Sequence, residues 1–155
     1  MPVEIATLRQ EDLPYVLSSW RESHKQAPGV DHVPWVYYKA KYGAIFRELL
    51  SSPASKLLGA YGDESELLGF LVATPGRRIS VLHWVQVKFK DASGQSLRRH
   101  GIMTELLAAA DLGSRFIYTL KGRRERGHSF DETLVKTLAS RGQTAVYTPL
   151  LEWVK

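Results

Sequence analysis

The stretch Val81–Ala110, VLHWVQVKFKDASGQSLRRHGIMTELLAAA, constrains the fold more than any other part of this chain. It opens on a run rich in β-branched and aromatic residues, which is a strand pattern. It closes on the best helical segment of the sequence, SLRRHGIMTELLAAADLGS, which is expected to end near Gly113. A strand feeding a helix through a polar loop, with the strand candidate RFIYTL following, predicts a βαβ-like unit. Arg98, Arg99 and His100 stand where the helix is expected to begin. Helix starts already carry partial positive charge, because their first N–H groups lack intrahelical partners. Added cations there cost stability unless an anion sits among them, so the segment reads as an anion site.

The remaining segments place this unit in a larger sheet. VEIATLR alternates as a first strand, and QEDLPYVLSSWRES follows as a helix, with Asp12 as its N-cap and Pro14 in the first turn. WVYYKAKYGAIFRELLSS resumes helical spacing and stops at Pro53, while SKLLGAYG and SELLGFLVATPG flank Asp63 and Glu64 as an antiparallel hairpin. SFDETLVKTLASRG is expected to be a helix closed by Gly142, and TAVYTPLLEWV supplies terminal strand material. The predicted order is β-α-α-β-β-β-α-β-α-β, an α/β (α+β) chain. Its sheet is mixed and largely antiparallel, with helices on both faces.

At 155 residues the chain is expected to form one domain spanning 1–155. The balance of 21 Lys+Arg against 16 Asp+Glu, net +5, suits a polyanionic partner such as nucleic acid or a phosphorylated cofactor. The clusters at Gly76–Arg78, Arg98–His100 and Lys121–His128 lack interleaved aromatics for base stacking, which disfavours nucleic acid. Without cysteine there are no disulfides or thiolate metal sites, and no HExxH or comparable spacing predicts a metal. The start lacks the pattern of a secretory signal and no apolar run reaches the length of a membrane span. A cytoplasmic protein that makes no membrane contact is the expectation.

The element order and RRHGIM resemble the GNAT superfamily of acyl-CoA N-acyltransferases. That family's pyrophosphate loop reads Arg/Gln-x-x-Gly-x-Gly/Ala at the start of its central helix, and Arg98 and Gly101 stand at matching positions. The opening ATLRQEDLPYVLSSW also resembles the family's first strand and helix. Met103 departs from the pattern, because the family prefers Gly or Ala there and its side chain must point away from the phosphates. The connection from Val87 to Arg98 is about six residues longer than in typical members, and the added loop either covers the coenzyme or obstructs its site.

The resemblance implies acetyl-CoA as the coenzyme. Its phosphates would be held by Arg98, Arg99, His100, Gly101, Ile102, Met103 and Thr104, and backbone groups of Val85 and Val87 would hold the pantetheine arm. Strict alternation puts His83, Val85 and Val87 on one face of the strand and Leu82, Trp84 and Gln86 on the other. His83 is either the general base or a core histidine satisfied by backbone; its reference pKa suits a base near neutral pH. The family's usual general acid is a tyrosine one helical turn before a glycine. Counting back from Gly142 gives Leu138, which cannot act, and nothing selects Tyr118 or Tyr147 in its place. The aromatics of WVYYKAKY, with Trp35 and Tyr38 foremost, are either core or the wall of an acceptor pocket.

The function implied is acetyl transfer from acetyl-CoA to an amine of a small molecule or protein. The alternatives are a catalytically inactive GNAT-like binding protein and a basic nucleic-acid-binding protein. A homodimer is one assembly open to the chain.

Overall fold

A computed structural model describes residues 2–25, 33–113, 115–118 and 144–147. In chain order the elements are β1 (Glu4–Thr7), α1 (Leu13–Lys25), α2 (Trp35–Ser51), β2 (Lys56–Tyr61), β3 (Leu67–Thr74), β4 (Ser80–Val87), α3 (Ile102–Ala110), β5 (Arg115–Tyr118) and β6 (Thr144–Tyr147). The strands form one sheet in sequential order. β1 through β4 pair antiparallel, while β4 with β5 and β5 with β6 pair parallel. The mixed, largely antiparallel α/β sheet expected from sequence is therefore present. The helix expected over 129–142 lies outside the described residues. Among the described residues no helix is long and apolar enough to cross a membrane.

β3 reads LLGFLVAT with scarcely a polar residue because it is buried on both faces. Leu68, Leu71 and Ala73 face one way, into a core with Leu82 and Val85 of β4, Ile102, Leu106, Leu107 and Ala110 of α3, and Phe116 of β5. Leu67, Phe70 and Val72 face the other way, into a second core with Val16 and Trp20 of α1, Tyr38, Tyr42, Phe46 and Leu50 of α2, and Trp84. The sheet thus separates α3 from the α1–α2 pair.

α3 is shorter than the sequence pattern predicts. Ser96 forms an isolated bridge with Lys90, and Arg99 and Gly101 take left-handed backbone angles (φ 65° and 73°), which a helix cannot include. The helix also ends before Gly113, at Ala110, where Asp111 adopts a left-handed cap (φ 47°).

A buried hydrogen-bonded link fixes the entry to α1. The Tyr61 hydroxyl donates to Asp12 Oδ2 (2.9 Å) and accepts the Arg9 N–H (2.9 Å), and the Arg9 guanidinium lies 4.2 Å from the ring centroid. Tyr61→Phe is expected to cost about 1–3 kcal/mol, since it leaves a part-buried N–H and a carboxylate without their partner. Chemical denaturation of the two proteins measures it. Burial raises the phenol pKa. The neutral form is thus favoured on folding, so this contribution is complete below about pH 10 and is lost as pH rises through the folded value.

Gly69 faces Val87 across the β3–β4 ladder, and a β-carbon there would lie 2.8 Å from the Gln86 carbonyl oxygen. Gly69→Ala should therefore push β4 outward, at a cost of about 1–3 kcal/mol, read as a lower denaturation midpoint.

Candidate functional site

The site begins at the far end of β4. Among the described residues β4 and β5 pair at Ser80 with Phe116, Val81 with Ile117 and Leu82 with Tyr118. β4 then continues to Val87, still paired to β3 on its other edge. Among the described residues, no strand pairs with the β5-side edge of β4 beyond Leu82.

The polarity of that edge follows from one bond. The Lys88 N–H donates to the Leu68 carbonyl at 2.8 Å, so Lys88 and Leu68 are a hydrogen-bonded pair. In an antiparallel ladder such pairs alternate, so Gln86 and Trp84 also turn their backbone groups toward β3. Val85 and Val87 turn theirs the opposite way, toward the β5 side.

α3 begins at the same end of the sheet. It must run back against β4, because β5 starts after it and lies parallel to β4. Leu97 and Ile102 join Val85 in the α3-side core, with Val87 and Met103 packed against it. The Met103 side chain is thereby turned inward, which resolves the departure noted at this position. Ile102 is buried, so only the backbone groups of these two residues can face outward.

Arg98, Arg99, His100 and Gly101 are exposed, and Thr104 is half-buried in the first turn. The first helical hydrogen bond runs from the Glu105 N–H to the Gly101 carbonyl (3.0 Å), and no side chain caps the helix. The Ile102 and Met103 N–H groups precede that bond and so have no intrahelical acceptor. No atom lies within 4 Å of where a Gly101 β-carbon would sit, so the approach to these groups is open. The Arg98 guanidinium lies 5.8 Å from the centroid of the Phe89 ring, itself an exposed side chain. Among the described residues, neither Arg98 nor Arg99 pairs with a carboxylate.

The long connection folds as a small hairpin. Leu97 N–H donates to the Phe89 carbonyl (2.9 Å), Asp91 N–H to Gln95 (3.0 Å) and Gly94 N–H to Asp91 (3.0 Å). The Asp91 carboxylate accepts the Ser93 hydroxyl (2.7 Å) and the Gln95 N–H (2.8 Å). These bonds, led by that from Ser93, hold its pKa below the usual carboxylate value. Glu66, at the entry to β3, takes the Ala92 N–H (3.0 Å) and pairs with Lys88 (3.8 Å). The added loop is therefore tied down on the β3 side of β4, away from its β5-side edge.

His83 does not lie where alternation puts it. The register with β3 slips between Val72–Trp84 and Ala73–Leu82, leaving His83 as the extra residue of a β-bulge. Leu82 and Val85 consequently share the α3-side core, whereas His83 turns toward α1, its ring centroid 6.3 Å from that of Trp20. His83 and Val85 are on opposite faces, not on one. His83 Nε2 and Thr74 Oγ1 are 2.7 Å apart, and the imidazole is half-buried. It sits one residue past the last β4–β5 pair. Thr74 was not singled out by sequence reasoning; only the strand register brings it to His83.

The aromatics of α2 divide. Tyr38 is fully buried, donates its hydroxyl to the Arg21 carbonyl (3.1 Å) and stacks between Trp35 (5.6 Å) and Tyr42 (4.7 Å). Trp35 and Tyr37 are the exposed rings, at 40% and 55%. Tyr118 and Tyr147 stand opposite each other in the β5–β6 register, their side chains outside the described residues, as is Leu138. Among the described residues no group of three potential ligands is placed to hold a metal ion.

No family model matches the sequence, and no curated protein sequence matches it at a significant level. Solved structures do match it. A Pyrococcus furiosus protein described as an acetyl transferase superimposes over 99% of this chain and 100% of its own, with a TM-score of 0.65 at 20% identity. A ribosomal-protein-alanine N-acetyltransferase from Brucella melitensis matches over 99% of this chain and 100% of its own, with a TM-score of 0.56 at 19% identity. AAC(6')-Iy, solved with the bisubstrate analogue CoA-S-monomethyl-acetylneamine, matches over 100% and 99%, with a TM-score of 0.54 at 15% identity. At these identities the likeness establishes a shared fold.

Proposed function

From the GNAT acyltransferase fold that this chain adopts, we propose that it transfers an acetyl group from acetyl-CoA to an amine of a small molecule or protein. One observation carries the reading: beyond Leu82 no described strand pairs with the β5-side edge of β4, at the end of the sheet where the uncapped, cation-flanked start of α3 opens outward. A single elongated ligand with an anionic end and amide groups along its length is complementary to both.

The residues fit such a ligand in their chemistry. Arg98, Arg99, His100 and the backbone N–H groups from Gly101 to Thr104 would hold the diphosphate by charge-assisted hydrogen bonds. The backbone groups of Val85 and Val87 would take the pantetheine amides as an added strand takes a sheet edge. The coenzyme, when bound, supplies the activated acyl group.

The remaining requirement is a base for the ammonium proton. His83 lies on the α1–α2 face of β4, where an acceptor would arrive. Its Nε2 meets Thr74 Oγ1, and a neutral imidazole at this position would act as base toward the amine through a water. Trp35, held by its stack on Tyr38, would flank the acceptor.

Arg98→Glu tests the coenzyme half of the reading. Replacing a charge-assisted donor with a repelling carboxylate is expected to weaken acetyl-CoA binding by about 1–3 kcal/mol. The side chain is exposed, so folding is spared. Calorimetric titration of both proteins measures it, and an unchanged dissociation constant would remove Arg98 from the site.

A further inference from the structure

A second concentration of cationic groups lies on the α1–α2 pair, apart from the start of α3. Gly43 of α2 is buried, and its missing side chain leaves a notch that Arg21 of α1 enters. Arg21 Nη1 lies 3.4 Å, and Arg47 Nη1 3.8 Å, from the point where a Gly43 β-carbon would sit. Two guanidinium groups thus converge on one spot. Like charges in such proximity repel unless an anion lies between them.

No protein group supplies that anion among the described residues. Glu22 and Glu48, the chain neighbours of the two arginines, form no ion pair with either. Arg21 Nε is buried and has no hydrogen-bond partner. That atom is enclosed by the protein, so an oxyanion with several acceptor lone pairs would be met by the Nη groups that converge over Gly43. The planar guanidinium fork suits phosphate and carboxylate oxygens in particular.

We propose that Arg21 and Arg47, meeting over Gly43, form a binding site for a small oxyanion, a phosphate or a carboxylate, separate from the anion site at the start of α3. Arg21 directly follows Trp20, which packs beside His83, so the site is carried by the same helix pair that borders the proposed acceptor face. It does not depend on the acetyl-transfer reading.

The test is thermal unfolding of the full chain titrated with sodium phosphate, and separately with sodium malonate, at ionic strength held constant with sodium chloride. Arg98→Glu serves as the background, so that binding at α3 does not contribute. A saturable rise in melting temperature is expected. Arg47→Gln in the same background should weaken the apparent affinity roughly ten- to hundredfold, as expected for loss of a charge-assisted contact. Gly43→Ala, which fills the notch while keeping both charges, should weaken it as well. Saturation with phosphate alone assigns the ligand as a phosphate, and saturation with malonate alone as a carboxylate. The proposal is overturned by no rise with either anion in the Arg98→Glu protein. A rise that does not saturate, or one that Arg47→Gln and Gly43→Ala leave unchanged, overturns it equally.

Discussion

His83→Ala should lower the turnover number by roughly 10²–10⁴-fold, the usual effect of removing a general base, and leave acetyl-CoA affinity nearly intact. The separation follows from position. The groups assigned to the coenzyme are backbone atoms on the β5-side edge of β4 and the exposed start of α3, whereas His83 projects from a bulge toward α1. The acidic limb of the pH–rate profile should change too, because imidazolium cannot accept the proton and alanine has no such limb. If His83 only packs against Trp20 and bonds Thr74, the same substitution lowers the melting temperature and spares the rate. A variant that melts early and turns over at the wild-type rate would contradict the assignment.

Trp20→Ala carries the largest expected loss of stability. The indole is 1% exposed and stacks on Phe46 at 4.2 Å, joining α1 to α2 against the sheet. Removing it leaves a cavity that two packed helices can close only in part, and about 3–5 kcal/mol is expected, read in a denaturant titration. His83 loses one wall at the same time. The variant should therefore also lose turnover under conditions where it remains folded, while coenzyme affinity falls little. A loss of stability below about 1 kcal/mol would mean that the α1–α2 core is not organised around this residue.

The elements that the sequence made legible are those whose signals are local. The unbroken apolar run of β3, the β-branched alternation of β4 and the apolar spacing of α3 each follow from neighbours along the chain. The Arg98–Gly101 segment was legible as a helix entry for the same reason, although its pattern extends the helix back to Ser96. The hairpin bonds from Phe89 to Leu97 and the left-handed Arg99 and Gly101 start it at Ile102 instead. The bulge at His83 was not legible. VLHWVQV contains no Gly or Pro to mark a break, and the slip is set by how β4 registers against Val72 and Ala73 of β3. Tyr38 illustrates the same limit: an aromatic at helical spacing suits a pocket or a core, and only the packing of α1 on α2 decides. The Thr74–His83 contact and the approach of Arg21 to Arg47 are likewise tertiary.

The central claim is that the β5-side edge of β4 beyond Leu82 and the start of α3 hold one coenzyme. Residue-resolved amide hydrogen exchange with and without acetyl-CoA tests it most directly. The Val85, Val87, Ile102 and Met103 amides should become strongly protected when acetyl-CoA is bound, because they acquire acceptors they lack among the described residues. Trp84 and Gln86, already bonded to β3, serve as the internal reference and should change little. Protection absent from all four amides at millimolar acetyl-CoA would contradict the account.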